Sequence, residues 1–215
     1  MPDFELLPDP DRIVNGLRDT GYNFNTAIAD IVDNSIAANA TQVFVRVDVD
    51  PSLHVSICVA DNGIGMDLDG LKNAMKYGSK ERENKSSLGK FGLGLKTAST
   101  AFCRQLSVIS KKTREDKLQK VQWDLDHICE KNSWALKILE VDSDEIDFFD
   151  SVAIDGHGTL VVWDKVDRLL KEYKSDSTAK RALQKKITDL KFHLSMVFQR
   201  FLDEKDSRAS DVEIY

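Results

Sequence analysis

The feature that most constrains the fold is a change of hydrophobic period between Phe24 and Val59. Ile28, Ile31, Val32 and Ile36 share one arc at the ~3.6-residue spacing of a helix, which predicts a helix from Phe24 to Ala38. Val43, Val45, Val47 and Val49 then alternate, as do Val55, Ile57 and Val59, and Asp50-Pro51-Ser52 between them is a turn signal. This is the period of two adjacent strands, so a hairpin follows the helix. A helix with one apolar arc beside such a hairpin buries that arc on a sheet. The prediction is an α+β chain, one sheet with helices on one face.

The same periodicities place the remaining elements. A short helix over 11–18 is capped by Asp9 or Asp11, a second covers 67–77, and a third spans 92–102, starting from glycine. Strands are expected at 105–110, 118–125 and Thr159–Trp163, the last opened by Gly156-His157-Gly158. Leu183, Ile187, Leu190, Leu194, Val197, Phe198 and Phe201 mark a long amphipathic helix over about 178–203. Residues 78–90 read as a polar loop. Glu140, Asp142, Asp144, Glu145, Asp147 and Asp150 read as an acidic exposed stretch.

At 215 residues the chain is about one and a half times the usual ~150-residue domain. The reading divides it into an N-terminal segment, 1–20, and one large domain, 21–215. The 30 basic and 36 acidic residues give a net charge of −6, and 41% of residues are hydrophobic. That composition excludes wholesale disorder. No apolar run approaches the ~18 residues that span a bilayer, and Met1-Pro2-Asp3 opens without the basic and apolar regions of a secretory signal. Cys58, Cys103 and Cys129 are odd in number and far apart, so reduced thiols, a cytoplasmic location and no structural zinc are expected. Residues 165–191 hold nine basic and four acidic side chains; a solvated helix face accounts for them better than a nucleic-acid stripe on an acidic chain.

Three clusters carry chemistry. Asp30 and Asn34, four apart, share one helix face, where a carboxylate and an amide oxygen can activate water and hold Mg²⁺. Taken alone, they are better explained as the wet face of a helix. Asp61-x-Gly63-x-Gly65 ends an apolar strand; the carboxylate can accept from a ligand amine while glycine backbone approaches a flat ring, though an Asn-Gly turn is the plain alternative. Gly89-Lys90-Phe91-Gly92-Leu93-Gly94-Leu95-Lys96 frees backbone N–H groups for an anion at a helix start. It is not a P-loop, because Leu95 separates Gly94 from Lys96 and the preceding residues are polar. Nor is it a dinucleotide or kinase glycine loop, because position 97 is Thr.

In this order and spacing the clusters resemble the nucleotide site of the GHKL ATPases, the superfamily of gyrase, the ninety-kilodalton heat-shock chaperone, histidine kinases and MutL. DIVDNSIAANAT (30–41), YGSK (77–80) and GKFGLGLKTAS (89–99) resemble MutL- and Microrchidia-like ATP-binding domains in particular. The resemblance is dense from Gly21 to Phe102 and thinner later, resting on Gly158-Thr159. It implies a Bergerat-type two-layer α/β sandwich with a mixed sheet, and an ATP lid over about 76–94. It also implies ATP and Mg²⁺ as ligands. Asp30 stands at the water-activating position, Asn34 at the Mg²⁺ ligand, and Asp61 at the reader of the adenine amino group. Gly63, Gly65 and Met66 lie beside the base, and Thr159 supports the adenine end. Gly89, Lys90, Phe91, Gly92, Leu93 and Gly94 wrap the phosphates, with Lys96 a further phosphate contact.

The chain departs from the family at three points. Asp30 replaces a Glu and is shorter by one bond of about 1.5 Å, and a misplacement near 1 Å can cost on the order of a hundredfold in rate. Asp33, roughly 60° round the wheel from Asp30, is a poorer candidate to share the role. Ala37 and Asn39 replace an Asp and a Gly of MutL-type sequences. Related ATPases receive a Lys from a following domain, and Val212-Glu213-Ile214-Tyr215 reads like the opening of another strand. The expectation is a piece of a longer protein, slow alone, that self-associates on ATP and reaches DNA, if at all, through downstream domains, with no membrane partner. A histidine-kinase-type phosphotransferase, which lacks a preceding His helix here, and a non-hydrolysing nucleotide module remain alternatives. His157, between two glycines, reads as a turn residue, and His54, His127 and His193 as packing or surface residues.

Overall fold

The computed structural model describes residues 8–78, 94–170, 173 and 176–215. Helices α1 (Pro10–Arg18) and α2 (Phe24–Ala37) precede strands β1 (Gln42–Val49) and β2 (Val55–Asp61). Helices α3 (Leu68–Met75) and α4 (Gly94–Thr100) lead to β3 (Cys103–Lys111) and β4 (Gln119–Asp124). Then come α5 (Leu125–Lys131), β5 (Lys137–Leu139), α6 (Ser143–Val152) and β6 (Gly158–Val166), followed by α7 (Asp176–Val197), α8 (Gln199–Leu202) and β7 (Glu213–Ile214). The seven strands form one mixed sheet in the order β5-β4-β3-β6-β2-β1-β7, in which β7 runs parallel to β1 and the other neighbours are antiparallel.

Local chemistry explains the element ends. Asp9 caps α1 by accepting from the Arg12 N–H, and Asn23 caps α2 by accepting from the Asn25 N–H. In the hairpin, Asp50 Oδ1 accepts from the N–H groups of Ser52 and His54, both at 2.8 Å, and Val49 pairs with Val55. Asn39 adopts φ +61°, a left-handed conformation that Asn tolerates and most residues do not. Val14 is buried in the same apolar core as Ile28, Ile31 and Val32. Arg18 donates to the Thr100 carbonyl at 2.8 Å and pairs with Asp167, so α1 is bonded to α4 and to the end of β6.

The main core lies between one sheet face and the helical layer. Val55, Ile57 and Val59 of β2 face it together with Leu106, Val108, Val161 and Trp163. The long helix stops at Val197; Phe198 is buried, and a short separate turn follows to Leu202. Among the described residues the opposite face is covered by one helix, α6, within the stretch that the acidic residues alone suggested was exposed. Phe149 and Val152 of α6 sit on Cys58, Ala60, Ile109, Leu160 and Val162. Small Cys58 and Ala60 let the helix approach. Asp142 and Glu145 form a capping box, and Glu145 also grips Lys120 Nζ at 2.6 Å. Asp144, Asp147 and Asp150 are exposed on a helix whose inner side is apolar, and these closely spaced carboxylates, with Glu145, masked that periodicity. Phe149→Leu is expected to destabilise the domain by about 1–2 kcal/mol, read from the urea midpoint; no shift would mean that α6 is not part of the cooperative core.

Among the described residues no helix is long and apolar enough to cross a membrane.

Candidate functional site

Helix α2 organises the site, because its buried arc holds it on the sheet and leaves its polar residues at the sheet's end. Asp61, the last residue of β2, is 4% exposed. Its Oδ2 accepts from the Ser35 hydroxyl on α2 at 2.7 Å, and its Oδ1 accepts from the Gly63 N–H at 2.9 Å. The backbone N–H of Thr159, its partner across the ladder, also faces the carboxylate. Burial pushes the Asp61 carboxyl above its ordinary range, while Ser35, the two N–H groups and the charge of His157 oppose that shift.

The loop after β2 is clamped on all sides. Ile64 N–H donates to the Ala38 carbonyl at 2.9 Å. Gly65 has φ +62°, and a β-carbon there would stand 1.9 Å from the Lys111 carbonyl oxygen. Gly158 has φ +151°, and its β-carbon would stand 2.1 Å from the Asp61 carbonyl oxygen. These glycines are required by backbone meeting backbone. Ser110 ties the layer together: its hydroxyl donates to the Gly158 carbonyl at 2.6 Å and accepts from the Met66 N–H at 2.8 Å. The Thr159 hydroxyl lies 3.1 Å from the same oxygen; since the Ser110 proton is committed, Thr159 donates.

Asp30 stands midway along α2, and Asn34 lies in its last turn beside Ser35. Asn34 Nδ2 donates to the Asp30 carbonyl at 2.7 Å, which sets the amide's orientation. Asp30 Oδ2 accepts from the Tyr22 hydroxyl at 2.9 Å. Burial, and then the acceptor Asp30, push the Tyr22 phenol above its ordinary value, so it stays protonated; it also bonds the Thr97 side chain. Gly94, first residue of α4, is the neighbour of this carboxylate: a β-carbon on Gly94 would stand 3.9 Å from Asp30 Oδ2. Asp33 lies on the same helix, half-buried.

The structure thus sets Asp61, Gly63, Gly65, Met66 and Thr159 beside the C-terminal turn of α2, which also carries Asn34, and sets Gly94 beside Asp30 at mid-helix. Gly89, Lys90, Phe91, Gly92 and Leu93, and most of the expected lid, lie outside the described residues. Lys96 faces elsewhere: it is 1% exposed, and its Nζ donates to the Ala74 carbonyl at 2.7 Å and lies 5.9 Å from the centre of the Tyr77 ring. Burial lowers its pKa to about 8. Together with Trp123 Nε1, which donates to the Met75 carbonyl at 2.8 Å, it satisfies the end of α3. The open hollow between α6 and β1, lined by Arg46, Asp48, Asp144, Asp147 and Phe148, is on the other sheet face, away from every motif. Among the described residues no group of three or more His, Cys, Asp or Glu side chains forms a metal cage.

Residues 22–159 match the family described as histidine kinase-, DNA gyrase B-, and HSP90-like ATPase. The chain belongs to this ATPase family. Among curated relatives, it is 29% identical to ATPase MORC2B of Mus musculus over 90 residues, 40% of the chain and 9% of that protein. It is 30% identical to Protein MICRORCHIDIA 1 of Arabidopsis thaliana over 95 residues, 42% of the chain and 15% of the relative. A crystal structure of the N-terminal domain of a DNA repair protein shares the fold, with TM-score 0.50 and 23% identity, over 90% of this chain and 49% of that one. This GHKL domain therefore spans 9 to 15% of those two curated relatives and about half of the solved neighbour. Tyr22, Ser35, Ser110 and His157 were not singled out as site residues from sequence. Ser35 lies inside the quoted 30–41 motif, but its role needs Asp61 opposite it, and no periodicity links Tyr22 to Asp30.

Proposed function

We propose that this domain binds ATP with Mg²⁺ at the α2 end of the sheet and hydrolyses it slowly, as the switch of a larger protein. The observation that carries the reading is the buried Asp61 carboxylate, oriented by Ser35 and Gly63 and linked through α2 to Asp30 and Gly94. Asp61 would accept from the exocyclic amine of adenine, with Gly63, Gly65 and Met66 backbone beside the ring and Thr159 behind it. The N–H groups at the start of α4, with Gly89, Gly92 and Gly94 and their neighbours Lys90, Phe91 and Leu93, would face the phosphates. Asp30 would orient and deprotonate the attacking water, and Asn34 would offer its amide oxygen to the cation. Bound Mg²⁺ supplies neutralisation of phosphate charge, and a site with few protein oxygens fits it, because this ion keeps water and phosphate ligands. ATP-dependent self-association, and DNA contact through further domains, are the partners this reading extends to. The hydroxyl on Asp30 Oδ2 supports a second reading, a nucleotide module that does not hydrolyse.

Calorimetric titration with MgATP tests the first step. Asp61→Asn is expected to weaken binding by about 10–100-fold, since an amide cannot accept from all the donors now facing the carboxylate. Wild-type affinity should fall as pH is lowered through the raised Asp61 range, because the ionised acid is the better acceptor for an amine. Stability of the ligand-free protein runs the other way: a carboxyl raised by burial contributes stability at low pH that is lost as pH rises through its folded pKa. Unchanged affinity in Asp61→Asn would remove the adenine assignment.

A further inference from the structure

We infer that His157 is a positioning residue for the base end of the proposed nucleotide site, a step that rests on the ATP reading above. His157 Nδ1 lies 2.6 Å from the carbonyl oxygen of Gly63, 94 residues away in the chain. A carbonyl only accepts, so Nδ1 carries the proton. The ladder pairs Asp61 with Thr159, and His157 stands two residues beyond Thr159 as Gly63 stands two beyond Asp61. The imidazole therefore continues the sheet by one rung, with a side chain in place of backbone.

This rung acts on Asp61. The Gly63 N–H holds Asp61 Oδ1, and the Gly63 carbonyl is held by His157, so both peptide planes flanking Gly63 are fixed. A β-carbon on Gly63 would stand 2.8 Å from the Ala38 carbonyl and 3.0 Å from Asp61 Oδ1, which shows how little room the loop has. Gly156 at φ +80° and Gly158 at φ +151° bend the backbone on either side of the imidazole. With the pin removed, the 62–64 peptides lose one of their anchors and the Asp61 carboxylate loses its defined orientation toward a ligand amine.

The test compares wild type, His157→Ala and His157→Asn by calorimetry with MgATP and MgADP, each variant's fold being checked by circular dichroism. His157→Ala is expected to weaken both nucleotides by the same factor, roughly tenfold, the scale of one buried hydrogen bond. His157→Asn, whose amide N–H reaches the Nδ1 position, should restore most of the loss. Nitrogen NMR on the ligand-free wild type, which needs no variant, should show a protonated Nδ1. Unchanged affinities in His157→Ala, a loss confined to ATP, no rescue by Asn, or a bare Nδ1 would each overturn the inference while leaving the ATP reading intact. A wild type that binds neither nucleotide overturns the ATP reading and this one with it.

Discussion

Asp30→Asn is expected to leave ATP affinity within about threefold of wild type while lowering turnover by about 10²–10⁴-fold, the usual contribution of a positioned general base. Affinity should survive because the proposed base contact belongs to Asp61, which meets α2 at Ser35 rather than at Asp30, and because a neutral amide removes a negative charge from beside the phosphates. Turnover collapses because an amide cannot take a proton from water. The geometry sharpens the expectation: Asp30 Oδ2 already accepts from Tyr22 at 2.9 Å, so the shorter carboxylate is held in one orientation on the side facing Gly94. Single-turnover hydrolysis, measured beside the binding isotherm, checks the result. Equal turnover in Asp30→Asn would show that Asp30 is not the base, and no turnover in wild type would favour the non-hydrolysing module.

Gly65→Ala is expected to cost about 2–5 kcal/mol of folding stability, the sum of a left-handed backbone penalty and of overpacking against a rigid neighbour. The added methyl would lie 1.9 Å from the Lys111 carbonyl oxygen and 3.0 Å from that of Gly158, and neither is the end of a flexible side chain. Relief requires the 61–66 loop to leave β3 and β6, breaking the Met66–Ser110 bond. ATP affinity should fall with stability, since Asp61 shares the loop. Gly16, where a β-carbon meets nothing within 4 Å, is the matched control, and Gly16→Ala should be neutral or slightly stabilising. Denaturant midpoints decide; a Gly65→Ala protein within about 0.5 kcal/mol of wild type, the scatter of ordinary surface changes, would mean that the loop yields easily.

The sequence by itself determined the helix–hairpin start, the strand positions of the central sheet and the three polar clusters, because each is written in local spacing: 3.6 for α2, two for β1 and β2, glycines for the turns. It also placed Asp30 and Asn34 on one face, since helix geometry alone requires that. It did not show α6 as a helix, because four acids over about two turns overwhelm a two-residue apolar face that only acquires meaning against Cys58 and Ala60. Nor did it show that Lys96 turns away to close α3, or that Ser35, Tyr22 and His157 hold the two carboxylates and the loop between them. Those partners lie 26, 8 and 94 residues from the groups they orient. Hydrogen bonds across such separations leave no periodic trace, so only the packed sheet, which fixes strand ends against one helix, could assign them.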